Sequence, residues 1–207
     1  MSALDYDRLR RTPLTTQPFS FIIVPGFVKP EALAAIHADY PKIDKPGSFP
    51  VSTVKPGPAF TAVIAELEGP EMRRAIEEKF ELDLTNRPTM VTVRGYCRAG
   101  DGDIHTDSET KIITALIYFN GKWEAGGGRL RLLRSATDIE DMVAEVPPEE
   151  GTLLAFRRSD NSFHGHKSYE GRRRAIQLNW VTGLDVVRRE QARHRLAAFA
   201  KSLNPFA

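Results

Sequence analysis

From Thr89 onward the chain is cut into short apolar and β-branched runs by turn-forming residues, and that rhythm restricts the fold more than any other feature. Residues 90–96, 111–119, 129–133, 151–156 and 174–180 read as strands. Gly100 to Gly102, Gly126 to Gly128, Pro147 with Pro148, and Gly171 separate them. Runs rich in Val, Ile, Leu and aromatics suit a pleated, half-buried surface, and Gly or Pro between them supplies the reversals. Several such strands in succession predict a sandwich or barrel.

Before Thr89 the pattern is mostly helical. Residues 19–24 form a first strand, ended by Pro25 and Gly26. Pro30 suits the first turn of a helix that carries Leu33, Ile36 and Tyr40 and stops at Pro41. Phe60, Val63, Ile64 and Leu67 mark a second helix, and residues 70–80 a third. Residues 1–18, with Pro13 and Pro18, read as a mobile lead-in. Residues 41–58 hold Pro41, Pro46, Pro50, Pro56 and Pro58 and read as a long irregular connection, of the kind that borders a binding site. A basic amphipathic helix closes the chain from Leu184 to Leu203. The expected architecture is mainly β with flanking helices in a single domain. Residues 1–88 give a mostly helical support, 89–183 a jelly-roll core, and 184–207 a C-terminal helix.

Composition narrows the function classes. A formal net charge of +2 in 207 residues is too mild to draw the chain to nucleic acid. The apolar run at 112–119 is far too short to span a membrane, and the charged residues Asp5, Asp7 and Arg8 sit where a signal peptide needs apolar ones. Cys97 is the only cysteine, so no intrachain disulfide forms and a reducing compartment is favoured. A cytoplasmic protein acting on a small-molecule or peptidyl substrate is expected.

The chemistry centres on His105-Thr-Asp107. On a strand, residues i and i+2 point the same way, so imidazole and carboxylate converge. That pair suits a divalent first-row metal, and two histidines with one carboxylate make the non-haem iron(II) arrangement. Alone the pair is weak, since a surface loop with an internal hydrogen bond accounts for it equally. A calcium loop is excluded: Thr106 stands where glycine is needed, and Ile112 where the bidentate glutamate should close the loop. His37 and His194 lie on helices, which leaves His164 and His166 as candidates for a third ligand. They share strand parity, so geometry does not choose between them. Arg174 alternates with Ile176, Leu178 and Trp180, so it is expected to point with the apolar set into the barrel. A buried guanidinium there needs an anion, and no acidic residue is an obvious mate.

Between Tyr96 and Trp180 the chain resembles the 2-oxoglutarate (2OG) and iron(II)-dependent oxygenases, and among them the prolyl 4-hydroxylase-like group. The matching residues are Tyr96, His105-Thr-Asp107, Leu116-Ile-Tyr-Phe-Asn120, Trp123, Gly127-Gly128 and Leu130-Arg-Leu-Leu133. They continue with Gly151-Thr-Leu-Leu-Ala-Phe156, Ser162-Phe-His164 and Arg174. The resemblance implies a double-stranded β-helix (a cupin-like jelly-roll) and iron held by His105, Asp107 and His164, the last placed ten positions before Arg174. It implies 2OG held at its far carboxylate by Arg174 and Tyr118, with Tyr96 lining the pocket. Dioxygen would be the second co-substrate, ascorbate an accessory reductant, and hydroxylation the outcome, with release of succinate and CO2. The chain departs from many members in having Gly102 three residues before the first ligand, between Asp101 and Asp103. Two rivals stand beside this reading: a cupin-like metalloprotein of another reaction, and a non-catalytic binding module on the same barrel. A cupin uses more histidines than this strand body offers, and a degenerate module would have lost a ligand.

Overall fold

The computed structural model describes residues 2–190 and Ala192. Among these, the strands form two antiparallel sheets. The larger has the spatial order β1 (Phe21–Val24), β7 (Leu153–Arg157), β4 (Lys111–Tyr118), β9 (Gly171–Val181), β3 (Thr89–Cys97) and β2 (Phe49–Pro50). The smaller has the order β6 (Met142–Val146), β5 (Leu130–Leu133) and β8 (His164–Gly165). Sequence neighbours such as β4 and β5 lie in different sheets, and the chain winds between the two layers as a double-stranded β-helix.

The two faces of the large sheet bury different things. One face carries Ile113, Ala115 and Ile117 of β4 with Ile176, Leu178 and Trp180 of β9. It packs on α2 (Pro30–Asp39), α3 (Pro58–Leu67) and α4 (Pro70–Phe80) through Ile36, Phe60, Val63, Leu67, Met72 and Ile76. Burying each large apolar side chain there contributes roughly 1.5–3 kcal/mol before entropy is counted. All three helices start on a proline, whose missing N–H would have had no helical partner. The other face looks across at the small sheet, where Phe21, Leu154, Phe156, Leu130, Leu132 and Val146 close one part of the interior. Thr92, Arg94, Thr114, Gln177 and Asn179 occupy the remainder.

Three expectations change. The first residues are docked: α1 (Tyr6–Arg11) is capped by the Asp5 side chain, and Leu4 and Leu9 are 1% and 0% exposed. Six residues are too few for a helical period to show in the sequence. Residues 41–58 contain β2 and a short 3₁₀ turn at Val51–Thr53, and they run along β3, where Pro46 bridges Tyr96. The short strands β6 and β8 fall outside the sequence pattern altogether. With β1 and β2 as outer strands, the first 88 residues are woven into the large sheet rather than only supporting it. Residues 184–190 are helical, and the rest of the expected final helix lies outside the described residues. No helix among the described residues is long and apolar enough to cross a membrane.

Candidate metal centre and its pocket

An isolated antiparallel bridge sets His105 directly opposite His164. The His105 N–H donates to the His164 carbonyl at 3.0 Å, and the His164 N–H returns a bond to His105 at 2.9 Å. Asp107 follows two residues on, before β4 begins. One ligand atom from each of His105, Asp107 and His164 lies within 4.8 Å of the others. Among the described residues this is the one group of three or more His, Cys, Asp or Glu side chains that could hold a metal ion. His166 lines the same cavity but turns to Cys97, with Nε2 3.8 Å from Sγ. Pairing opposite His105 thus separates two histidines that parity alone leaves equivalent.

Glycine makes this approach feasible. A Cβ on Gly102 would stand 2.1 Å from the His166 carbonyl oxygen, and one on Gly165 would stand 2.8 Å from the Gly102 carbonyl oxygen. Any side chain at position 102 would collide with the backbone and ring of His166. Asp101 is bound by Arg98, whose N and Nε both donate to it at 3.0 Å.

The donor chemistry fits a divalent cation. His105 Nδ1 lies 2.8 Å from the Asp103 carbonyl, and His164 Nδ1 lies 3.0 Å from the Ser162 carbonyl. A carbonyl only accepts, so both Nδ1 atoms carry the proton and both Nε2 lone pairs are free for a metal. Burial pulls the His164 pKa down to about 4 against the opposing Asp107 charge, so its imidazole is neutral at ordinary pH. Burial pushes the Asp107 carboxyl up. The Lys111 charge and hydrogen bonds from Lys111 and Thr114 outweigh that and hold it below the usual range. Lys111 Nζ sits 2.6 Å from Asp107 Oδ1, and Thr114 Oγ1 donates to Oδ2. His105 is exposed while the other two are buried, so the ligands sit at the mouth of the cavity.

That cavity, of about 130 Å³, runs inward past Thr114, Leu116 and Gln177 to Arg94 and Arg173. Arg173 is 7% exposed, and its guanidinium carbon lies 5.4 Å from the centroid of the fully buried Tyr118 ring. Its Nε donates to the Gly128 carbonyl at 2.8 Å. Gly128 can hold that position because it has φ +79° and packs against Trp123 and Tyr169, where a Cβ would collide. Among the described residues, Arg173 Nη2 and Tyr118 Oη are buried side-chain atoms without a hydrogen-bond partner.

Arg174 is therefore not where strand alternation was expected to put it. It lies on the helix-facing side of β9, with its guanidinium carbon 4.7 Å from the Tyr40 ring centroid, and it does not line the cavity. Ile176, Leu178 and Trp180 do share its face, but that apolar face meets the helices, not the opposing sheet. Its backbone is pinned by Asn120, which accepts from Arg174 N at 2.7 Å and donates to Arg174 O at 3.0 Å. Tyr96 also stays out of the cavity. The β3–β9 register shifts between Arg94 and Tyr96, so Arg94 and Cys97, three residues apart, both face inward and Tyr96 does not. Tyr118 is fully buried beneath the Arg173 guanidinium. Beside Arg172 at a hairpin end, Arg173 reads from the sequence as solvated, whereas it is buried; Arg94, Gln177 and Thr114 were not singled out by the sequence. Their common signal is polar residues on the inner parity of buried strands.

Residues 91–182 match the family model described as the 2OG-Fe(II) oxygenase superfamily. The chain's fold is shared with prolyl 4-hydroxylases. The structure of a Pseudomonas putida prolyl-4-hydroxylase is similar over 85% of this chain and 90% of its own, at 16% identity and a TM-score of 0.52. A Phytophthora capsici prolyl 4-hydroxylase structure is similar over 88% of this chain and 67% of its own, at 14% identity and a TM-score of 0.60. A viral collagen prolyl hydroxylase from Paramecium bursaria chlorella virus 1, in complex with 2OG, matches 78% of this chain and 96% of its own, at 14% identity and a TM-score of 0.51. No curated protein matches the chain in sequence.

Proposed function

We propose that the protein is an Fe(II)- and 2OG-dependent dioxygenase that hydroxylates its substrate and releases succinate and CO2. One observation carries this: three metal-competent side chains and the buried Arg173 guanidinium, which has no carboxylate partner among the described residues and lies over the Tyr118 ring, line one small cavity. His105, Asp107 and His164 would hold the iron through two Nε2 atoms and a carboxylate oxygen, leaving positions for a chelating co-substrate and O2. When bound, Fe(II) with 2OG and O2 supplies the oxidising chemistry, which no side chain here could provide.

The chain's own residues do the positioning. Asp103 and Ser162 fix the imidazole tautomers through their carbonyls, and Lys111 and Thr114 orient the carboxylate. Thr114 of β4 pairs with Asn179 of β9, and Ala175 of β9 pairs with Tyr118, so four residues separate the metal end from the anion end. At about 3.3 Å per residue that is about 13 Å along the strand, room for a short dicarboxylic acid between a metal and a guanidinium. Arg173 and Tyr118 would take the far carboxylate. Leu130, Val146 and Ala175 share the apolar cluster of Tyr118 and keep that end dry, which strengthens the charge pairing.

The experiment is anaerobic addition of Fe(II) and then 2OG, read by the weak visible charge-transfer band of the chelate. The band should appear with wild-type protein and with His166→Ala, and vanish with His164→Ala. Its absence from folded wild-type protein, or its loss in His166→Ala alone, overturns the assignment.

A further inference from the structure

Arg173 has a companion. On the inner face of the large sheet β3, β9 and β4 run side by side, and Arg94, Ala175 and Tyr118 form one cross-strand row: Arg94 pairs with Ala175, and Ala175 with Tyr118. The middle residue offers only a methyl group, so the space above it is bounded by the arginine of one strand and the tyrosine of the other. Arg173, next on the inner face of β9, closes that space over the Tyr118 ring. The row is fixed from behind: Tyr40 Oη donates to the Arg94 carbonyl at 2.7 Å and lies 3.1 Å from the Ala175 carbonyl.

Both guanidiniums line the cavity, and among the described residues neither has a carboxylate within 4.0 Å. Asp101, the acid on that side of the cavity, is engaged by Arg98. Burial, and then the neighbouring Arg173 charge, lower the Arg94 pKa. Two cations facing one space, Arg173 buried and Arg94 partly exposed, are costly until an anion enters it. A carboxylate offers about four acceptor sites. Tyr118 Oη, Arg173 Nη2 and the Arg94 fork supply enough donors for one such group, and a cavity of about 130 Å³ leaves little room for a second.

We propose that Arg94 is a second anion anchor, which clamps the far carboxylate of the co-substrate together with Arg173 and Tyr118. This rests on the function proposed above and adds to it a second residue, on β3, that reads the charged far end. An analogue that lacks that charge leaves two guanidiniums unpaired instead of one.

The test is a titration of the anaerobic Fe(II) protein with 2OG and with 2-oxopentanoate, its uncharged-end counterpart, read by the charge-transfer band. Wild-type protein should prefer 2OG by roughly a hundredfold or more, and Arg94→Met should cut that preference by roughly tenfold or more while binding 2-oxopentanoate as before. Arg94→Lys, which keeps the charge but not the fork, should fall between, and it gives the same comparison if the methionine variant does not fold. A preference unchanged within about twofold in the Arg94 variants, while Arg173→Met loses it, overturns the clamp and leaves the proposed function standing. No band with either acid in wild-type protein overturns both.

Discussion

Strand β9 has two faces of opposite character, and the difference separates stability from chemistry. Toward the helices it shows Ile176, Leu178 and Trp180, buried among apolar side chains. Toward the small sheet it shows Arg173, Ala175, Gln177 and Asn179, with polar atoms aimed into a cavity. The apolar face holds the fold together, whereas the inner face keeps costly groups desolvated for a ligand. In this jelly-roll the most hydrophobic parity of a strand therefore marks the side away from the site.

That contrast can be broken by substitution. The largest effect is expected on the helix-facing side: Trp180→Ala should cost about 3–5 kcal/mol in urea denaturation, the usual penalty for emptying a large buried site. Arg173→Met should leave that stability within about 1 kcal/mol, since it removes an unsatisfied buried group along with one hydrogen bond. It should still weaken 2OG binding roughly a hundredfold in a charge-transfer titration. Tyr118→Phe should weaken 2OG about tenfold, with stability kept or slightly raised because a hydroxyl without a partner is gone. The smallest change is expected for Arg174→Ala, which loses only its contact over Tyr40: under about 1 kcal/mol in stability and under about twofold in 2OG affinity. If Arg174→Ala abolishes 2OG binding and Arg173→Met spares it, the two faces have been assigned the wrong way round.

Much of the fold was legible in the sequence because strand periodicity and turn residues are local signals. The candidate ligands His105 and Asp107 were legible for the same reason, as both sit on one side of an extended segment. Other features needed tertiary information. His164 differs from His166 only in what lies across from it, and that partner is His105, 59 positions earlier in the chain. Arg172, Arg173 and Arg174 follow one another, so parity selects among them only once it is known which face meets the helices. The register shift after Arg94 reverses the inward parity of β3, which is why Tyr96, in phase with Arg94 by simple alternation, leaves the cavity. The two-residue strand β8 is too short for any pattern, yet it carries His164, a candidate ligand.

The position of β8 has a mechanical consequence. His105 and Asp107 belong to the segment that leads into the large sheet, while His164 lies on the small one. A metal held by all three is a rivet across the seam between the layers, at the end where the backbones already touch through Gly102 and Gly165. Occupancy then tightens the rim of the barrel itself, with a gain of about 2.7 kcal/mol when free metal is a hundred times its Kd. Amide exchange at residues 102–107 and 164–166 should slow on metal addition, while the helix-backed centre of β9 should be unmoved.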